Sequence, residues 1–276
     1  MNADSKLRVL VIGAHPDDCE FKAGGVAAKY AALGHTVRFV SMTNGDAGHH
    51  EIGGVQLARR RKAEAEEAAR VIGIESQVLD HHDGQLEASI VNRKTTIRLI
   101  RGFEPDLILT HRPNDYHPDH RNTSTLVQDA SYLVTVPNIC TDTRPLADSP
   151  VIAYLSDQFQ KPYPFKPEVV VAIDECIEQK LDMLHRHTSQ VYEWLAWHDG
   201  VLAEVPLGLE RRREWLRARM ITPFDTLVAE KYRDTLVRWY GRRKGKAIRH
   251  AEAFELCEYG RQPSEEELRR LFPFFD

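Results

Sequence analysis

Short apolar runs alternate with longer amphipathic stretches through the first half of the chain. The apolar runs are rich in β-branched residues, which is typical of buried strands, and they lie at 7–13, 36–42, 77–80 and 106–110. Helices are predicted between and after them, at 21–33, 56–72 and 90–102, and after a loop at 111–120 a helix ends at 133. Because the connections are short, this alternation predicts a Rossmann-like α/β fold, with a mostly parallel sheet flanked by helices.

The second half of the chain is less regular. Two more strands and two more helices are predicted there, at 151–155, 169–173, 174–187 and 189–197. Beyond residue 200 the sequence is polar and helical only in pieces, and it ends in a capping box that begins at Ser264. We expect a catalytic α/β domain over residues 1–190. Residues 191–276 are expected to form a mostly helical appendage that packs on this domain or completes it, with 251–255 lining the pocket or forming a surface helix.

Composition and charge exclude several classes of protein. Of the 276 residues, 42% are hydrophobic and 28% are charged, as in ordinary globular proteins, and the net charge of −4 gives no general attraction to nucleic acid or anionic membranes. No run approaches the ~20 apolar residues of a membrane span, and the start of the chain lacks a signal-peptide pattern. The four cysteines are far apart in the sequence, which argues against a disulfide framework or a thiolate zinc site and suits a reducing compartment. We therefore expect a cytoplasmic protein with a small-molecule partner, no nucleic-acid partner and no membrane span.

An imidazole and two carboxylates directly follow the first predicted strand. His15, Asp17 and Asp18 stand in a turn that Pro16 stiffens, where the strand gives way to a helix. In open α/β sheets, ligands bind at this carboxyl edge of the strands. One of the aspartates could simply cap the helix, but that leaves the other aspartate and the histidine without a role. We therefore interpret this turn as a chemical site.

A second stretch of the same chemistry follows the fourth predicted strand. It contains His117 and His120 beside another proline, and it belongs to the same edge of the sheet as His15. A catalytic zinc site needs three protein ligands and an open position for water. We predict His15, Asp18 and His120 as the ligands, because His120 stands at the start of a helix, and we leave His117 to contact substrate. No Gly-x-Gly-x-x-Gly follows any strand, which argues against a dinucleotide cofactor.

The residue types alone do not select the metal. Two histidines and one carboxylate also describe the facial triad of iron(II) oxygenases. The additional carboxylate of Asp17 favours hydrolysis, because a metal-activated water needs a base that receives its proton. We therefore expect Zn²⁺ as the cofactor, with Fe²⁺ or another divalent metal as the alternative.

Both stretches resemble motifs of the PIG-L/LmbE-like family of metal-dependent N-acetylglucosamine deacetylases. The resembling fragments follow one another in the family's order, at 14–20, 23–25, 61–64, 72–73, 83–86, 105–106, 110–111 and 117–120. They cover roughly the first half of the chain. The resemblance implies hydrolysis of the N-acetyl group of an N-acetylglucosamine-type amino sugar, or of its conjugate, by a zinc-activated water. It implies zinc bound by His15, Asp18 and His120, and Asp17 as the general base.

The resemblance also implies roles for residues around the metal. It implies that His117 stabilises the tetrahedral oxyanion and that Asp119 orients His117. It places Arg61 near the substrate or in support of the metal-site loop. Members of the family often form trimers or hexamers, so the resemblance implies a homo-oligomer as well.

The substrate contacts and two rival functions stay open. Sugar hydroxyls need fixed polar partners, and four residues on loops of the same sheet edge could supply them: Asn44, Asp46, Asp83 and Arg112. An amidase that acts on a sugar–thiol or other larger amide conjugate would use the same site with a different leaving group. A non-catalytic, metal-containing sugar-binding protein would have no need of Asp17.

Overall fold

Seven strands form one sheet, in the order β3-β2-β1-β4-β5-β7-β6. The computed structural model describes residues 6–275, apart from the side chains of residues 220–222. The strands are β1 (Arg8–Gly13), β2 (Thr36–Thr43), β3 (Glu75–His81), β4 (Leu107–Thr110), β5 (Val151–Leu155), β6 (Val169–Ala172) and β7 (Ala251–Leu256). The first five strands pair in parallel, whereas β7 runs antiparallel to both of its neighbours. The predicted α/β fold with a mostly parallel sheet is confirmed.

Helices flank this sheet and account for most of the remaining chain. They are α1 (Asp18–Ala32), α2 (Gly54–Ile72), α3 (Ile90–Phe103), α4 (Pro118–Leu133), α5 (Ile177–Arg186), α6 (Leu195–His198), α7 (Leu209–Leu216), α8 (Thr222–Lys231), α9 (Arg233–Ala247) and α10 (Glu265–Leu271). The ends of α1 to α4 differ from the prediction by at most three residues. The predicted helix at 189–197 is instead a π-helical segment, Ser189–Trp194, followed by α6. No helix of the described part of the chain is long and apolar enough to cross a bilayer.

Several helix ends are set by residues that the sequence already identifies. Gly73 ends α2 in the left-handed conformation, which glycine adopts without strain. The hydroxyl of Ser89 accepts a hydrogen bond from the backbone N–H of Asn92 at the start of α3. The hydroxyl of Ser264 accepts one in the same way from Glu267 in α10, where the capping box is predicted. These local interactions explain why the helix boundaries can be read from the sequence.

Strand β7 is the main element that the sequence does not reveal. Residues 251–255 are expected to line a pocket or form a surface helix, but they lie inside the sheet, between β5 and β6. Glu252 and Glu255 give the segment a polar appearance, although every residue of β7 except the last is buried. The segment 191–276 therefore supplies an inner strand to the sheet that residues 6–190 begin. The parts of the domain division that fall on residues 1–5 and 276 lie outside the described residues.

Three buried charged side chains connect β7 to the helices around it. Lys180 Nζ lies 2.8 Å from Asp225 Oδ1 and 2.9 Å from Glu252 Oε1, and at most 2% of any of the three side chains is exposed. The Glu252 carboxylate also accepts hydrogen bonds from the backbone N–H groups of Gly25 and Val26 in α1. A Cβ atom at Gly25 would lie 2.8 Å from Ile173, so only glycine permits this packing. The network therefore ties the helix that begins at Asp18 to the C-terminal part of the chain.

Replacing Lys180 tests how much this network contributes to the stability of the fold. Lys180→Met leaves Asp225 and Glu252 buried without their cation, so we expect the free energy of unfolding to fall by about 3–5 kcal/mol. The measurement is urea denaturation followed by circular dichroism. Lys231→Met, which removes an exposed lysine, should change stability by no more than about 0.5 kcal/mol. Equal effects of the two substitutions would contradict a structural role of the network.

Candidate metal centre

The register of β1 and β4 brings the two chemical stretches together. The two strands pair in parallel, with Ile12 opposite Thr110, so the turn after β1 and the loop after β4 leave the sheet at the same edge. His15 and His120 then approach each other across this edge. The distance between His15 Nδ1 and His120 Nε2 is 3.2 Å. Both side chains are buried.

The turn after β1 has an unusual backbone that frees one carboxylate and anchors the other. Asp17 has a φ of 136°, in a backbone region that residues other than glycine rarely adopt. Its side chain makes no capping hydrogen bond to α1. Asp18 Oδ2 accepts hydrogen bonds from the backbone N–H groups of Ala14 (2.9 Å) and His15 (2.7 Å). Asp18 therefore stabilises the turn, while the carboxylate of Asp17 faces the site.

Each pair of side chains among His15, Asp18 and His120 approaches at the spacing of metal ligands, with Asp18 presenting a different oxygen to each histidine. His120 Nε2 lies 3.2 Å from His15 Nδ1 and 3.5 Å from Asp18 Oδ1, and Asp18 Oδ2 lies 3.5 Å from His15 Nδ1. A tetrahedral ion with bonds of about 2.0–2.2 Å separates its ligand atoms by roughly 3.3–3.6 Å. Burial opposes the charge of Asp18, but the His120 and His111 rings outweigh it and hold the pKa of this carboxyl well below its usual value. The three residues fit a divalent cation.

Carboxylates face the remaining ring nitrogens of both histidines. Asp119 Oδ2 and Asp83 Oδ1 each lie 3.2 Å from His15 Nε2, and Asp115 Oδ1 lies 3.1 Å from His120 Nδ1. Histidine ligands of metals usually donate their other N–H to such an acceptor, which fixes the tautomer and the ring orientation. Asp115 was not selected from the sequence, where an aspartate in a loop has the appearance of a turn former. A count of carboxylates within the second stretch is the signal that could have found it.

A larger group of donor atoms also surrounds His15. Ligand atoms of His15, Asp83, His117 and Asp119 all lie within 4.8 Å of one another. In this group the two carboxylates meet His15 at Nε2, on the side of the ring away from His120. We therefore interpret them as hydrogen-bond acceptors behind a ligand.

Asp17 is buried beside Arg61. Arg61 Nη2 lies 3.3 Å from Asp17 Oδ2. Burial and the neighbouring Asp18 carboxylate together raise the pKa of Asp17 to about 6, against the opposing effect of the Arg61 charge. A carboxylate with such a pKa can both accept and release a proton near neutral pH, as a general base requires.

Arg61 connects the loops that surround the site. Its guanidinium donates to the carbonyl oxygens of Pro16 (2.9 Å) and Gly45 (3.1 Å), and its Nη1 lies 3.6 Å from Asp83 Oδ2. Gly45 has a positive φ, and a Cβ atom there would collide with the guanidinium. Of the two roles that the resemblance implies for Arg61, this geometry favours support of the metal-site loops.

His117 and Asp119 are arranged differently from the expectation. The hydrogen bond between them runs from the backbone N–H of Asp119 to His117 Nδ1, at 3.2 Å. The Asp119 carboxylate instead accepts from the N–H groups of Gly84 (2.7 Å) and Leu86 (3.2 Å) and contacts His15. The implied orientation of His117 by the Asp119 carboxylate is therefore corrected, because the side chain of this buried residue is turned toward His15.

His117 nevertheless has a defined tautomer. Since Nδ1 accepts a hydrogen bond, the proton of the neutral ring is on Nε2. Burial lowers the pKa of His117, and the neighbouring His15 and His120 rings lower it further, so the ring is neutral at neutral pH. His117 therefore offers a hydrogen-bond donor at Nε2.

Three of the predicted substrate residues lie on loops beside the centre. Asp83 reaches it directly, through His15 and Arg61. Asp46 accepts a hydrogen bond from the backbone N–H of Asp83 (3.0 Å), and Asn44 accepts one from the N–H of Asp46 (3.1 Å). Asn44 and Asp46 thus hold the loop that carries Asp83, and both also line a groove next to it.

Arg112 lies away from the open part of the site. Its side chain is fully buried and forms a two-pronged ion pair with Asp157, at 2.6 Å for both hydrogen bonds. The guanidinium also donates to the carbonyl oxygens of Phe159 and Tyr163. This placement gives Arg112 a structural role in the loop after β5 and does not favour the substrate contact that its position in the sequence suggests.

Comparisons with known proteins identify relatives of this chain. Residues 10–131 match the family model "PIG-L: GlcNAc-PI de-N-acetylase". Over 202 residues the chain is 31% identical to the diacetylchitobiose deacetylase of Thermococcus kodakarensis. This alignment covers 69% of this chain and 73% of that protein. It is also 24% identical over 229 residues to the 4-oxalmesaconate hydratase of Pseudomonas putida. That alignment covers 77% of this chain and 87% of the hydratase.

A solved structure extends the likeness to nearly the whole chain. The N,N'-diacetylchitobiose deacetylase of Pyrococcus horikoshii, complexed with its inhibitor MPG, superposes with a TM-score of 0.69 at 25% sequence identity. The superposition covers 94% of this chain and 88% of that one. With the matched motifs at the edge of the sheet, these similarities show that the chain belongs to the PIG-L family.

Proposed function

We propose that the protein is a zinc-dependent hydrolase that removes the N-acetyl group from an N-acetylglucosamine-type amino sugar or its conjugate. The observation that carries this proposal is the buried carboxylate of Asp17, which has no capping role, is next to Asp18 in the chain and interacts electrostatically with Asp18 and His15. A binding protein would have no use for such a carboxylate. The deacetylases among the relatives support the choice of an acetylated amino sugar.

The hydrolysis requires one water and an exchange of protons. When a divalent ion is bound, it polarises the amide carbonyl and lowers the pKa of a water at its open position. Asp17 accepts a proton from this water as its oxygen adds to the carbonyl carbon. The same carboxyl then delivers the proton to the nitrogen as the C–N bond breaks, which yields acetate and a free amine. Arg61 holds Asp17 in place through the contact at 3.3 Å.

His117 is proposed to stabilise the charge that develops on the carbonyl oxygen. Its Nε2–H is a fixed donor, because Nδ1 is occupied by the N–H of Asp119. A neutral donor that is already oriented needs no reorganisation as the negative charge forms, and one such donor is often worth about 3 kcal/mol. His117 is half-buried at the start of α4, so a substrate can reach it.

The proposal extends to the substrate residues and the assembly. Asp83 is proposed to accept a hydrogen bond from a sugar hydroxyl; its contacts with Arg61 and His15 support this role. Asn44 and Asp46 then act through the loop that carries Asp83. The family resemblance supports a homo-oligomer, either a trimer or a hexamer.

A hydratase is the second candidate function. The observation that favours it is the similarity to 4-oxalmesaconate hydratase, of which the match covers 87%. A hydratase also needs an activated water and a base, but water adds to a carbon–carbon double bond and no amine leaves. The two functions therefore differ in their products.

Product analysis distinguishes these functions. Purified protein of known metal content is incubated with free N-acetylglucosamine, diacetylchitobiose and N-acetylglucosaminyl conjugates, and acetate and primary amine are measured. We expect equal amounts of acetate and amine from at least one substrate, and loss of both after chelation. Release of amine with a larger acid would indicate the amidase. Hydration of an unsaturated tricarboxylic acid, with no acetate from any sugar, would contradict the deacetylase.

Substitution of the two adjacent aspartates separates catalysis from metal binding. Asp17→Asn should lower kcat by about 10²–10⁴ with metal content unchanged, because it removes the base and keeps the ligands. Asp18→Ala should lose the metal together with activity. The measurements are steady-state kinetics and elemental analysis of the same samples. Asp129→Asn, at an ion pair with Arg93 on the exposed side of α4, is the matched control and should retain kcat. Full turnover by Asp17→Asn would refute the assigned role of the base.

Removal of the oxyanion donor has a different signature. His117→Phe should lower kcat by about 10²–10³, the usual loss for one donor of this kind. Its zinc affinity should stay within a few-fold of the unsubstituted protein, since His117 is not assigned as a ligand. Kinetics and a chelator-competition titration measure the two quantities. A large loss of zinc from this variant would make His117 a ligand and the assignment wrong.

A further inference from the structure

His111 is a buried residue of the centre to which no role has yet been given. It follows the last residue of β4 and lies between the sheet edge and the ligands Asp18 and His120. Only 3% of His111 is exposed, so it is out of reach of a substrate. Two of its contacts are to proposed metal ligands.

The first contact is a hydrogen bond to the Asp18 carboxylate. His111 Nε2 lies 3.2 Å from Asp18 Oδ2, and the backbone N–H of Ala14 is directed at both atoms, with Nε2 as an acceptor at 3.1 Å. The N–H of Ala14 already donates to Asp18 Oδ2, over the shorter distance of 2.9 Å. With its proton on Nε2, the His111 ring donates to the carboxylate. With the proton on Nδ1, two lone pairs would face each other at 3.2 Å, which is unfavourable in a buried site.

This hydrogen bond saturates one oxygen of Asp18. Oδ2 then accepts from the N–H groups of Ala14 and His15 and from the ring of His111. The other oxygen, Oδ1, lies 3.5 Å from His120 Nε2, whereas Oδ2 is the oxygen that lies 3.5 Å from His15 Nδ1; since Oδ2 already has its donors, Oδ1 is the one left for a metal ion. Three donors on one oxygen therefore favour ligation through the other oxygen alone.

The second contact restrains the His120 ring. The rings of His111 and His120 stack with their centroids 4.0 Å apart and an angle of 12° between their planes. Asp115 Oδ1 lies 3.1 Å from His120 Nδ1, outside hydrogen-bond geometry, so the stacked face of His111 is the restraint on this ring. Because both rings are buried, His120 has little freedom to rotate away from His15.

His111 itself is not a good ligand, although it is close enough. Ligand atoms of Asp18, His111 and His120 lie within 4.8 Å of one another. However, a nitrogen that carries a proton for Asp18 has no lone pair to offer to a cation. The geometry therefore gives His111 an indirect effect on the metal.

We propose that His111 is a positioning residue of the metal centre, which presents Asp18 as a one-oxygen ligand and holds the His120 ring in its ligating orientation. This inference rests on the proposed metal-dependent function. Outer residues that orient metal ligands commonly change metal affinity by 10–100-fold when they are replaced. The effect of His111 should therefore be visible in metal binding without any substrate.

Two substitutions separate the two contacts. His111→Phe keeps a ring over His120 and removes the donor to Asp18, whereas His111→Gln keeps a donor and removes the ring. We expect each variant to bind Zn²⁺ about 10–100-fold more weakly in competition with a chelator. His111→Phe should also change the visible absorption spectrum of the Co²⁺-loaded protein, because Asp18 Oδ2 then loses one of its three donors and can approach the ion more closely.

The control is His35, a histidine at the opposite edge of the sheet whose ring also forms a hydrogen bond with a backbone N–H group. His35 Nδ1 accepts the N–H of Leu7, before the start of β1, and His35→Phe should leave both the Zn²⁺ affinity and the Co²⁺ spectrum unchanged. Circular dichroism of the metal-free variants shows whether they are folded, and Zn²⁺ titrations use only folded protein. Should His111→Phe unfold, His111→Gln alone carries the test of affinity.

The outcomes distinguish this inference from the proposed function. Unchanged Zn²⁺ affinity and an unchanged Co²⁺ spectrum in the His111 variants would overturn the positioning role and leave the hydrolase standing. Weaker binding by these variants, in a protein that releases no acetate from any sugar, would support the positioning role and count against the deacetylase. Failure of the unsubstituted protein to bind any divalent ion would overturn both.

Discussion

The parallel pairing of β1 with β4 is the constraint on which the centre depends. Neighbouring strands lie about 4.8 Å apart, so two turns that leave adjacent strands at the same edge are close enough for their side chains to share one ion. The register places Ile12 opposite Thr110, and His15 and His120 follow from there to a separation of 3.2 Å. A slip of β4 by one residue would reverse the faces of its side chains and separate these donors.

The centre concentrates negative charge in a place that water hardly reaches. Asp17 and Asp18 are buried side by side, and Asp83, Asp115 and Asp119 contact His15 and His120. Arg61 is a buried permanent cation beside this group, and it reaches Asp17 and Asp83. Buried carboxylates are costly unless they are paired or hydrogen-bonded. A divalent cation among the histidines and Asp18 would offset much of this repulsion, which explains why so many acids can be held together.

The C-terminal half supports the helices that carry the site. Glu252 in β7 reaches the N–H groups in the middle of α1, the helix that starts at Asp18. Glu64 lies one turn after Arg61 in α2, and it accepts hydrogen bonds from the side chain of Thr188 and the backbone N–H of Ser189 at the start of the π-helical segment. Both helices are therefore fixed from behind by residues distant in sequence. The polar appearance of these supporting segments conceals their position in the interior.

By itself, the sequence determined the strands and helices of the first half and the edge of the sheet that carries the chemistry. It also determined the motifs of the PIG-L family. Strand periodicity, helix caps and short motifs are local properties of the chain, so they can be read without the fold. Only the tertiary structure decided that β7 lies inside the sheet, that Arg112 is buried against Asp157 and that the Asp119 carboxylate faces His15. The contacts of His111 with Asp18 and His120 were likewise decided only by the tertiary structure. The physical reason is that a charged side chain is stable in the interior only beside a partner, and these partners come from segments that the sequence does not place next to each other.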